Sequence, residues 1–284
     1  MNTKRTITTL AAFATFQAAA FAQQAISSEN QVISPEIHPD RTVTFRLRAS
    51  MAKEVKLMGD WMPSSGWFPV AVPMERDSAG TWTYTSGVLN PELYIYSFLV
   101  DGLRVIDPSN AFVSRDIATL SSIFIIEGDQ SDLYRVKDVP HGSVTRTWYH
   151  SPILDMDRRI SIYTPPGYGT GGLDYPVLYL LHGAGGDEEA WLSLGRSSQI
   201  MDNLIADGMV EPMIMVMPNG NVSQDAAPGE GTQGYITPRF MVPGTMDGTF
   251  EKTFPEIMEF VENSYRVNEG RDQRAIAGLS MGGF

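Results

Sequence analysis

The sequence predicts a two-part fold: an all-β antiparallel sandwich, then an α/β part built on a mostly parallel sheet. Three observations carry that expectation. From about Ile33 to Glu127, short runs of alternating apolar and polar residues recur at close spacing between turns rich in Gly, Pro and Asp. Beyond Gly142, nearly continuous apolar runs alternate with segments of helical period. The 284 residues, 43% hydrophobic and 10% aromatic, can also hold two ordinary packed domains.

The N-terminus falls in neither part. Lys4 and Arg5 precede the uncharged apolar run Ile7–Ala22, and Ala20-Phe21-Ala22 offers small residues where a signal peptidase reads. The run is short and Ala-rich for a bilayer span, and its polar residues gather on no one face. Residues 1–22 therefore read as a secretory signal peptide cleaved before Gln23, and the expected product is secreted or periplasmic. Loss of two basic and no acidic residues takes the formal charge from −12 to −14. An acidic chain suits neither nucleic acid nor an anionic membrane surface. Cysteine is absent, which excludes disulfides, thiolate metal sites, cysteine nucleophiles and a lipid-anchored N-terminus. No later apolar run reaches membrane-spanning length.

In the first part, Thr42–Arg48 alternates Val43, Phe45 and Leu47 against polar neighbours, the period of a half-buried strand. Glu54–Asp60, Thr81–Ser86, Leu93–Gly102 and Ser121–Gly128 read the same way. The stretches "VTFRLRASMAKEVKLMGDW", "GTWTYTSGVLNPELYIYSFLVDG" and "DPSN" resemble the immunoglobulin-like module, related to family-48 carbohydrate-binding modules, that precedes glycogen-branching enzymes and some secreted esterases. By that resemblance residues 30–128 form an immunoglobulin-like sandwich. Trp61, Trp67, Phe68 and Trp82 would suit a sugar-stacking face, but large aromatics dominate cores generally, so we expect them to fill or edge the sandwich core. Residues 129–142, polar and ending in Pro-His-Gly, read as the linker.

In the second part, residues 143–284, "TRTWYHS" and Arg158–Pro166 read as strands, the latter closed by two prolines. Tyr175–Gly186 and Glu211–Gly220 read as strands buried on both faces. Ser197–Gly208 and Phe250–Val267 carry apolar residues at helical spacing. Between them, Asn221–Gly248 is a long Gly/Pro-rich loop that would border a site, with Tyr235, Phe240 and Met241 either contacting a ligand or packing the loop down.

The chemistry lies at the end of the last strand, where Gly278-Leu279-Ser280-Met281-Gly282 matches G-x-S-x-G. Such a serine sits on a sharp strand-to-helix turn that projects its Oγ, with glycines making room and the next backbone N–H facing a developing oxyanion. About a hundred residues earlier, another apolar strand ends in His182-Gly183-Ala184-Gly185-Gly186, the kind of loop that supplies the second oxyanion donor. The N–H of Ala184 is the expected donor, with Gly185 as the alternative. His182 precedes the serine, whereas in these hydrolases the triad runs serine, acid, histidine, so its expected role is structural. His38, His141 and His150 lie in the sandwich entry, the linker and an early strand, and none is an expected base.

"RRISIYTPPGY", "YPVLYLLHGAGGDEEAW", "MIMVMPNG", "FPEIMEFVENSYRV" and "RAIAGLSMGG" resemble, in order, carbohydrate esterase family 1, the feruloyl and acetylxylan esterases. The resemblance implies an α/β-hydrolase fold without metal or cofactor, with Ser280 as nucleophile and Met281 and Ala184 as oxyanion donors. It also implies an acid and a histidine beyond Phe284, so the expectation is an incomplete domain, inactive as it stands, whose last strand leaves Ala275–Gly278 as an unpaired edge. The implied substrate is an acyl ester, most simply feruloyl, on a polysaccharide such as xylan. Acetylxylan, a siderophore lactone, or binding of carbohydrate without catalysis are the alternatives.

Overall fold

A computed structural model describes residues 32–284 other than 67, 235, 238 and 243. The signal-peptide reading of residues 1–22, and the readings of Trp67 and Tyr235, lie outside the described residues.

The first part contains β1 (Glu36–Ile37), β2 (Val43–Arg48), β3 (Val55–Gly59), β4 (Ser64–Ser65), β5 (Phe68–Pro69), β6 (Val72–Pro73), β7 (Glu75–Arg76), β8 (Thr81–Thr85), β9 (Leu93–Val100), β10 (Leu103–Val105), β11 (Val113–Asp116) and β12 (Thr119–Ile125). One sheet runs β1-β2-β8-β7, a second β11-β12-β9-β3-β6 with β10 on β9, and β4 pairs with β5 in a short third. All these pairings are antiparallel. Alternation along β2 and β3 turns Val43, Phe45, Leu47, Val55 and Leu57 into one core, where they meet Tyr96, Phe98 and Phe124. Phe45 packs at 4.8 Å from Tyr96, 5.4 Å from Trp61 and 5.6 Å from Phe124, between ring centroids. Trp82 is buried, and its indole N–H donates to the Ala49 carbonyl at 3.0 Å. Trp82 is therefore a core residue and Trp61 edges the core, as the sequence leads one to expect.

The segment expected to be a linker is packed. It begins as a 3-10 turn, Asp129–Leu133. The Tyr134 hydroxyl accepts the Leu93 N–H of β9 at 2.8 Å. On the other side, the Asn203 amide donates to the carbonyls of Leu133 and Arg135, each at 3.0 Å, and the Arg196 guanidinium to that of Tyr134 at 2.6 Å.

The second part contains β13 (Ser143–Ser151), β14 (Met156–Thr164), β15 (Val177–Leu181), β16 (Ile214–Pro218) and β17 (Arg274–Gly278), with helices α1 (Ala190–Ser193), α2 (Ser197–Ala206) and α3 (Thr249–Ser264). The order is β13-β14-β16-β15-β17. β16 and β17 lie parallel to β15, but β13, β14 and β16 pair antiparallel, so the sheet is mixed where a mostly parallel one was expected. The reason is local: only a short turn joins β13 to β14, which forces a hairpin, and a hairpin can add only antiparallel strands. Ile160, Ile162, Val177, Ile214 and Val216 pack under Ile257 and Val261 of α3. Their neighbours Tyr163, Leu180, Met215 and Met217 pack on the opposite face with Met201 of α2. Burial on both faces explains the unbroken apolar run of β16.

Candidate active site

The β15–β17 register pairs Leu181 with Gly278, so both strands end at one level and their following residues lie side by side. After β17 and Leu279, the chain enters a 3-10 turn, Ser280–Gly283, where the sequence leads one to expect a helix to begin. Ser280, exposed at the apex, has φ 51°, a left-handed conformation uncommon for a residue other than glycine. Two glycines make the turn possible. A Cβ at Gly278 would stand 1.9 Å from the Gly282 carbonyl oxygen, and one at Gly282 would stand 2.6 Å from that of Leu181. These are the close approaches a strand-to-turn elbow needs.

Beside it runs the loop from His182 to Gly186. A Cβ on Gly183 would lie 3.5 Å from Ser280 Cβ, so loop and serine are in contact distance of one another. Among the described residues, neither the Ala184 nor the Met281 backbone N–H has an acceptor. Two N–H groups without an acceptor thus lie near the exposed serine in the chain and the fold: Met281 follows it directly, and Ala184 follows Gly183. His182 is buried and fully committed. Its Nε2 accepts the Gly220 N–H at 2.8 Å, which leaves Nδ1 as the donor to the Gly183 carbonyl at 2.8 Å. Burial holds its pKa below the usual imidazole value, so it is a neutral brace between the loop and the end of β16.

Polar side chains that the sequence reading left unassigned complete this brace. The Asn221 amide donates to the Gly186 carbonyl at 2.8 Å. Glu188, fully buried, accepts the Ala227 N–H at 2.8 Å and the Asn219 amide at 3.0 Å. Burial pushes its pKa up to about 7. Glu189 is held by Arg146 and Arg159, each with a contact of 2.6 Å. Beneath them Arg158, also fully buried, donates to the carbonyls of Asn219 at 2.6 Å and Asn221 at 3.0 Å. The signal available in the sequence was the acidic run Asp187-Glu188-Glu189 and the Asn-Gly-Asn after β16, which periodicity alone reads as solvated turns.

The three remaining histidines lie elsewhere. His38 bonds Thr44 at 2.8 Å, His141 bonds Asp202 at 2.9 Å and His150 bonds Asp157 at 2.9 Å. With His182 committed to its brace, none of the four histidines of the chain faces Ser280. Among the described residues, no cluster of three or more His, Asp or Glu side chains is arranged to hold a metal ion.

Two cavities adjoin the elbow. One of about 480 Å³ reaches Leu279, the His182–Gly186 loop and α1, and the other of about 920 Å³ reaches Met281, Gly220 and Phe250. Ala227 and Pro228 of the long loop line the first, and Thr245 and Met246 line the second. Phe240 and Met241 line neither and are exposed.

Residues 151–284 match the Esterase family. The chain is 31% identical over 256 residues to an endo-1,4-beta-xylanase/feruloyl esterase of Xylanibacter ruminicola, which covers 88% of the chain and 33% of that relative. It is 27% identical over 181 residues to esterase Rv1288 of Mycobacterium tuberculosis, covering 62% of the chain and 36% of the relative. The chain thus spans about a third of the length of the curated relatives it matches. Among solved structures, the enterobactin esterase FES of Shigella flexneri superposes with a TM-score of 0.59 over 85% of the chain and 65% of its own, at 16% identity. At that identity the likeness is one of fold, and it extends across the sandwich as well as the mixed sheet.

Proposed function

Taking the match of residues 151–284 to the Esterase family as the premise, we propose that this chain carries the nucleophile half of a serine esterase site, borne on an α/β-hydrolase domain behind an immunoglobulin-like sandwich. The observation that carries the reading is the exposed Ser280 at φ 51° beside the Gly183–Ala184 loop, with the N–H groups of Ala184 and Met281 unengaged. Ser280 Oγ attacks the ester carbonyl, and the two N–H groups take up the charge of the tetrahedral oxyanion. Collapse expels the alcohol, and water then releases the acid from the serine. No cofactor enters these steps.

The step that needs a partner is removal of the serine proton. None of the four histidines faces Ser280, so no histidine of this chain is placed to take that proton. Removing triad members in serine hydrolases leaves a residual rate of roughly 10³–10⁴ over water from the oxyanion hole and binding.

The substrate we propose is an acyl ester on plant cell-wall polysaccharide, feruloyl esters on xylan foremost. Support comes from the relative whose name joins endo-1,4-beta-xylanase to feruloyl esterase. Export, suggested by the first 22 residues, agrees with a polymeric substrate outside the cell. The test is hydrolysis of methyl ferulate, acetylated xylan and a catechol siderophore by the 284-residue chain and by the product of the complete reading frame. We expect the complete product to cleave methyl ferulate fastest and the Ser280→Ala variant not at all. Enzymic turnover by the 284-residue chain itself would overturn the assignment of a missing base, and preference for another ester would replace the substrate.

A further inference from the structure

The hairpin formed by β11 and β12 of the sandwich reaches out of its own domain and touches the loop that carries Ala184. Its register pairs Asp116 with Thr119, leaving Ile117 and Ala118 as a two-residue turn. Turns of this length favour Gly or Asn where φ is positive, yet Ile117 has φ 52°. A β-branched residue there is a genuine outlier, and such strain persists only where surrounding contacts over-determine it.

Those contacts are with the oxyanion loop. Gly185, itself at φ 81°, lies so close under Ile117 that a Cβ added to it would stand 2.2 Å from Ile117 Cγ1. Arg115 makes the second contact and ties both ends together. Its Nη1 donates to the Ile117 carbonyl at 3.0 Å, and its Nη2 pairs with the carboxylate of Asp187. Asp187 is nearly fully buried, so this pair is little screened by solvent. Its other oxygen accepts the Glu189 N–H at 3.1 Å, which extends the link to the start of α1. Ile117 and Leu120 also line the 480 Å³ cavity together with Gly185, Trp191, Leu194 and Leu279.

We propose that this hairpin is a working part of the ester site: Arg115 and Ile117 are positioning residues that hold the Gly183–Asp187 loop in the conformation presenting the Ala184 N–H. The sandwich is then a component of the site as well as a neighbouring module. Without the hairpin, three of the loop's five residues are glycines free to take other conformations around Ala184–Gly185, and the donor loses its aim. The catalytic meaning rests on Ala184 being an oxyanion donor, but the mechanical link does not.

Hydrogen exchange on the 284-residue chain tests the link directly. The informative amides are Gly186, Glu189 and Ala190, each bonded to an acceptor within this loop. Arg115→Gln and Ile117→Ala are expected to raise their exchange at least tenfold and leave β2 and β15 unchanged, with Ile117→Val close to wild type. Arg46→Gln, which breaks an ion pair with Glu36 in the other sheet of the sandwich, serves as the control. Unchanged loop exchange, or an increase no greater than that of the control and spread over the whole sandwich, would overturn the proposal. In the product of the complete reading frame, Arg115→Gln should lower kcat on methyl ferulate by more than it raises KM. A loop that loosens without any loss of kcat would overturn the positioning role. If the unmodified product cleaves no ester at all, the esterase reading falls, and the exchange result alone decides whether the hairpin holds the loop.

Discussion

Glu188 shows how a site can be held together by a side chain that costs stability. It is fully buried beside the candidate oxyanion loop, and its pKa is pushed from 4.5 up to about 7 because burial disfavours the charged form. A raised carboxyl acts opposite to the usual salt-bridged one. Below pH 4.5 both folded and unfolded states keep the proton. As pH climbs, the unfolded chain ionises freely and the folded chain resists, so stability is lost between about 4.5 and 7 and the full penalty persists above. At about 1.4 kcal/mol per unit, the penalty is on the order of 3 kcal/mol. Thermal melts of wild type and Glu188→Gln between pH 5 and 8 should therefore diverge, the variant gaining several degrees relative to wild type as pH rises. A constant difference across that range would mean that Glu188 ionises normally in the folded protein.

At the scale of elements, β17 forms an edge of the mixed sheet. Among the described residues it pairs with β15, and Ile276 and Leu279 are each 61% exposed. An apolar edge with open backbone groups is a template for pairing with another copy. Ile276→Lys should lower light scattering of concentrated protein severalfold while leaving the melting temperature within a degree or two. Unchanged scattering would place the sticky surface elsewhere. The expectation of an exposed edge came from the family resemblance and not from the strand's own pattern, whereas most strands were legible directly, because alternation in β2 and continuous apolarity in β16 follow from burial on one face or both. Other elements were not legible for equally physical reasons. The turn at Ile117 contradicts every local preference, so only its contact with Gly185 reveals why it exists. Arg158 and Glu188 look like surface charges until the β14–β16 pairing and the loops above it enclose them. The hairpin of β13 and β14 likewise escapes periodicity, since strand direction is not written in the side-chain pattern.

Across the whole molecule, the two parts are joined by more than a chain crossing. The hairpin of β11 and β12 contacts the candidate oxyanion loop on one side, and residues 129–142 bond to α2 on another. Asn203, only 2% exposed, is the centre of the second joint, its amide donating to the carbonyls of Asp132, Leu133 and Arg135 at 3.0 to 3.3 Å. Asp202 next to it accepts the Gly142 N–H at 2.8 Å and the Tyr163 hydroxyl at 2.6 Å, which anchors the same segment to β14. Polar groups at such a joint are cheap while paired, and each one left buried without a partner costs about 1–3 kcal/mol. Interfaces between domains of one chain are ordinarily loose enough for relative motion. This one is expected to be tight, so the wild-type chain should unfold in one cooperative calorimetric transition. Asn203→Ala strips several carbonyls at once of their shared donor, and two outcomes separate the readings. If the joint couples the parts, the single peak lowers and splits into a sandwich transition and a mixed-sheet transition. If the peak shifts by a few degrees and stays single, the coupling resides in the Arg115–Asp187 contact instead, and Arg115→Gln should be the variant that divides it.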